Sequence, residues 1–65
     1  MMEIREEGNK EFIIQGELFT ISCIIDENNC LCIKKIELRR PIESLEFMVI
    51  LRNIREYFKR KYNVI

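Results

Sequence analysis

Cys23, Cys30 and Cys32 are the residues of this 65-residue chain whose type and spacing come nearest to a reactive site. Thiols two positions apart on a strand point the same way, as a soft-metal site requires. Zinc, however, takes four ligands, usually as two pairs, and the chain has neither a histidine nor a fourth cysteine. Buried core thiols are therefore expected, with no metal and no cofactor. An odd count fits a disulfide framework badly, so the thiols should be free.

Catalysis lacks its other parts as well. Without histidine the commonest general acid or base is missing. Ser22 and Ser44 show no nucleophile elbow or Ser-Lys spacing. Glu6-Glu7 and Asp26-Glu27 sit where turns and strand ends need polar groups, and no Gly-rich phosphate loop is present. The chain is not expected to be an enzyme.

Binding is better provided for. Lys34, Lys35, Arg39 and Arg40 stand close together in sequence, and such a group can follow a phosphate backbone. The 11 basic and 11 acidic residues cancel, but they are unevenly spread. Two bases and seven acids lie in residues 1–33, and nine bases and four acids in residues 34–65. This asymmetry is a hint of a polyanion-binding surface.

The elements that position these residues are punctuated by Gly8, Gly16 and Pro41. Between them, segments rich in Ile, Phe and Thr predict strands at about 2–7, 11–15, 18–25 and 30–39. A two-residue turn at Gly16-Glu17 would set Ile14 against Phe19. A turn at Asp26 to Asn29 would set Cys23 against Cys32 and Phe19 against Ile36. Alternation then puts Phe12, Ile14, Phe19, Ile21, Cys23 and Ile25 on a core side, together with Cys30, Cys32, Ile36 and Leu38. Ile13, Leu18, Ile24, Leu31 and Ile33 fall on the outer side with Lys35 and Arg39. A one-residue slip at the Asp26 to Asn29 turn would exchange the two sides of the fourth strand.

Pro41 suits a first helical turn, and Lys59, Arg60 and Lys61 suit the negative end of a helix dipole, so a helix is predicted over about 41–62. On a wheel of roughly 100° per residue it carries two apolar stripes. Phe47, Ile50, Leu51, Ile54, Tyr57, Phe58 and Tyr62 form a long one suited to the sheet. Ile42, Leu45, Met48 and Val49 form a short one on the other side, which predicts a homodimer interface. One α+β domain over residues 1–65 follows: an antiparallel three- or four-stranded meander, then one long C-terminal helix packed on one face.

That element order resembles the positive-cofactor-four type of single-stranded-DNA-binding transcriptional coactivators. Lys34-Lys35-Ile36-Glu37-Leu38, leading through Pro41 into the helix, is the local likeness, and residues 30–58 are the part covered. The resemblance implies a homodimer that binds unwound DNA on its strand surfaces, with Lys34 or Lys35 among the contacts, and a role in transcription regulation.

A composition of 48% apolar and 34% charged residues is that of a folding chain. The acidic N-terminal residues do not read as a secretory signal, and no run of apolar residues is long enough to span a bilayer, so a cytoplasmic protein without a membrane partner is expected. Two functions stand side by side. One is a homodimer binding single-stranded or distorted nucleic acid through Lys34, Lys35, Arg39 and Arg40. The other is a protein-interaction module, a regulator or inhibitor, presenting Ile13, Leu18, Ile24, Leu31 and Ile33.

Overall fold

The computed structural model describes residues 2–65. Strands β1 (Glu3–Gly8), β2 (Glu11–Gln15), β3 (Phe19–Ile25) and β4 (Leu31–Leu38) form one antiparallel sheet in sequence order, and helix α1 (Ser44–Tyr62) follows. The ββββα arrangement is the expected one. Period-2 alternation is clearest in β3, where Phe19, Ile21, Cys23 and Ile25 are buried and Thr20, Ser22 and Ile24 are half-buried. Phe12 and Ile14 of β2 complete this inner layer.

Helix α1 lies over it with Ile54 and Phe58 fully inside. The ring of Phe58 packs against Phe12 and Tyr62 with centroids 4.9 and 5.5 Å apart, which ties helix to sheet through aromatic contacts. The helix starts at Ser44, three residues after Pro41. Pro41 to Glu43 stay outside the helix while Ile42 packs against the core. At the other end Asn63 adopts the left-handed conformation and donates its N–H to the Lys59 carbonyl 3.1 Å away. Asn29 then accepts the Ile65 N–H and donates to the Asn63 carbonyl, which fixes the buried Val64 against the sheet.

The strand registers differ from expectation in two instructive ways. The β2–β3 pairing is Ile14 with Ile21 and Phe12 with Cys23, two residues from the predicted register. The two central turn residues are Glu17 and Leu18, because Gly16 donates its N–H to the Phe19 carbonyl. A shift of two keeps every side chain on its face. Gly16 has no positive φ, so its role is not that of a type II′ turn residue. A Cβ there would stand 2.5 Å from Cζ and 2.9 Å from Cδ2 of the Phe19 ring.

The β3–β4 hairpin closes on Asp26 and Cys30, with three residues between them where four were expected between Ile25 and Cys30, so that Ile25 lies opposite Leu31 and Cys23 opposite Ile33. Asn29, at φ 62°, takes the left-handed position of a three-residue loop. The slip exchanges sides in the first half of β4: Leu31 and Ile33 belong to the helix side, and Cys30 and Cys32 leave the core. A bulge then inserts Lys34 between the pairs Cys23–Ile33 and Ser22–Lys35. It restores the predicted sides for the second half, with Ile36 and Leu38 facing the helix side.

Candidate functional site

With β4 refaced, the outer side of the sheet holds Ile13, Gln15, Thr20, Ser22, Ile24 and Cys32, with Lys35 and Glu37 on β4 and Glu3 and Arg5 on β1. Of the five residues expected to make an outer apolar surface, only Ile13 and Ile24 are on it. Leu31 and Ile33 point to the helix side, and Leu18 sits in the β2–β3 turn, where it packs against the core. That surface is therefore no apolar platform.

The basic group is also rearranged. Arg39 turns its guanidinium back on the chain: Nε donates to the Glu17 carbonyl at 3.0 Å, Nη1 to the Thr20 hydroxyl at 2.9 Å, and Nη2 to the Gly16 and Phe19 carbonyls. Its own N–H reaches the Leu18 carbonyl. Arg39 thus clasps the β2–β3 turn to the end of β4, with four of its five N–H donors engaged within the chain. Charged hydrogen bonds of this kind stabilise a fold by more than neutral ones. Arg39→Ala should therefore lower unfolding stability by about 1–2 kcal/mol in a urea titration. Arg39→Lys should recover only part of it, since an ammonium cannot reproduce the fork. An unchanged midpoint for Arg39→Ala would contradict the clasp.

Lys34, Lys35 and Arg40 are exposed. Lys35 pairs with Glu37 at 3.7 Å and Arg5 with Glu7 at 2.7 Å, both in open solvent, where such pairs contribute little. Near the β3–β4 turn, Asp26 accepts the Asn28 and Cys30 N–H groups at 2.9 Å. The Cys30 hydrogen bond, above all, holds its carboxyl below the usual aspartate range. Cys32 donates its thiol to the same carboxylate at 3.6 Å; partial burial first, and the Asp26 hydrogen bond next, raise its pKa. Burial pushes the Cys23 thiol up to about 11. The raised pKa values leave Cys23 and Cys32 unprimed as nucleophiles, and all three cysteines are free. Among the described residues no group of three or more candidate ligands could hold a metal.

What stands open is apolar and lies on and beside the helix. Leu45, Met48 and Val49 are 76%, 63% and 45% exposed. The fourth member of the expected dimer stripe, Ile42, is half-buried and packed on the core. Ile33, Ile36 and Leu38 of β4 are each at least two-fifths exposed although they face the helix side, because α1 leaves this edge strand uncovered. Sequence reasoning missed this second apolar group; the signal available was that a single helix about 10 Å wide spans little more than two strands at 4.8 Å spacing. No described helix is long and apolar enough to cross a membrane. Compared with known proteins, no family model, no curated protein and no solved structure matches this chain.

Proposed function

We propose that the chain is a small non-catalytic binding protein that pairs with a second copy of itself through the outward side of α1 and takes another protein as its partner. The observation that carries this reading is the exposure of Leu45, Met48 and Val49 at i, i+3 and i+4, one stripe on the first half of the helix. Each forgoes up to about 1.5–3 kcal/mol of burial by standing in water. A two-fold axis through such a stripe buries it against its own copy.

Single-stranded nucleic acid on the strands, which the resemblance implies, is supported less well. Lys34, Lys35 and Arg40 are available for it, but Arg39 is engaged with backbone carbonyls. Glu3, Glu11 and Glu37 share the outer side with Arg5 and Lys35, so a phosphate backbone there would meet like charges as well as opposite ones.

Self-association is tested by heat. When folding and dimerisation are coupled, the midpoint of thermal unfolding rises with protein concentration. The natural chain should show that rise and Leu45→Asp should lose it. A midpoint independent of concentration in the natural chain would overturn the dimer.

A further inference from the structure

The flank of α1 turned toward β1 is marked by Glu46, Ile50 and Asn53, which line a cleft with Met2, and by Lys61, which lies in the field of Glu6. The opposite flank, at 3.6 residues per turn, carries Met48, Leu51, Arg52, Arg55 and Lys59 and is turned toward β4. Met48, Leu51, Arg52 and Arg55 together line a shallow depression of about 240 Å³. On the same side of the sheet as α1, Ile33, Ile36 and Leu38 of β4 stand half-exposed. Beyond them runs the free edge of β4, paired on one side only. Among the described residues Arg52, Arg55 and Lys59 form no ion pair.

We infer that this flank is a docking groove for an extended segment of another protein in which carboxylates alternate with aliphatic side chains, laid along the edge of β4. The inference rests on the protein-binding reading above but not on self-association. Three observations select that occupant. An open edge offers backbone N–H and C=O groups that an added strand satisfies. Exposed aliphatic side chains beneath need apolar partners, whereas single-stranded nucleic acid is held by aromatic stacking, and none of the large exposed apolar residues is aromatic. Finally, the unpaired bases call for acids. A second copy of this chain on the same two-fold groove would bring Arg55 and Lys59 against themselves, a like-charge contact that disfavours it there. The bulge at Lys34 breaks the regular edge, so pairing is expected along Lys35 to Leu38.

The test is an amide NMR titration of the full chain with a capped synthetic peptide of alternating Val and Glu. The same peptide with Lys for Glu and a single-stranded oligothymidylate serve as comparisons. Saturable shifts at Ile36, Leu38, Leu51 and Arg55 with the acidic peptide alone are expected, and Arg52→Glu with Arg55→Glu should weaken binding about tenfold or more. Both arginines are exposed, so the folded spectrum of the double variant is its own control. Repeating the titration on Leu45→Asp separates the two claims: binding retained by a monomer upholds the groove whatever becomes of the dimer. No saturable shift, shifts unaffected by the arginine changes, or saturation by oligothymidylate in place of the peptide would each overturn the inference.

Discussion

Phe58→Ala should leave most of the chain unfolded at room temperature. The ring is fully buried and touches Phe12, Tyr57 and Tyr62 with centroids between 4.9 and 5.5 Å. It joins the last turns of α1 to β2, and among the described residues no other side chain makes as many aromatic contacts. Truncating a buried Phe costs about 3–5 kcal/mol, from lost transfer and from the cavity left behind. A single core of this size supplies about 3–5 kcal/mol in all. Phe58→Leu keeps an apolar body in the site and should remain folded, with a lower midpoint. The far-ultraviolet helix signal followed through a urea titration checks both. A Phe58→Ala chain with the natural midpoint would contradict the packing of α1 on this sheet.

Gly16→Val is the second large effect, and its sign is informative. Replacing a glycine whose backbone is compatible with other residues usually stabilises, by about 0.4–1 kcal/mol, because the unfolded chain loses freedom. Gly16 has no positive φ, so on backbone grounds alone the substitution would be favourable. The Phe19 ring reverses this, since Cζ and Cδ2 stand 2.5 and 2.9 Å from the Cβ position. Phe19 is itself a core residue, so the ring cannot swing away without opening the sheet's inner layer. Valine should destabilise by about 1–3 kcal/mol, as overpacked cores do, and alanine by less. A stabilised Gly16→Ala chain would mean that the ring moves freely.

The inner face of β2 and β3 was legible because Phe12, Ile14, Phe19, Ile21, Cys23 and Ile25 recur at every second position, three of the five residues alternating with them (Gln15, Thr20 and Ser22) are polar, and an error of two in register does not move a side chain between faces. The first half of β4 was not. Four polar residues, Asp26 to Asn29, close a hairpin with either parity. Only the left-handed Asn29 and the two N–H bonds to Asp26 decide between them. Nothing in Lys34-Lys35 marks one lysine as the bulge. Two errors of one residue then cancel, which is why Ile36 and Leu38 fall on the expected side and Cys30, Leu31, Cys32 and Ile33 do not.

Arg39 shows the same limit in chemistry. Its place beside three other bases suggested phosphate, while its use is settled by carbonyls more than 15 residues away in the chain. Helical periodicity was the more dependable guide. The long stripe of α1 is buried or half-buried throughout, and Leu45, Met48 and Val49 stand exposed.

The molar mass of the natural chain and of Leu45→Asp, measured by light scattering across a concentration series, bears most directly on the proposed assembly. The natural chain should approach twice its 7.9 kDa as concentration rises, and Leu45→Asp should stay at the monomer mass with an unchanged helix signal. A natural chain that remains monomeric over the whole series would contradict self-association through the outward side of α1.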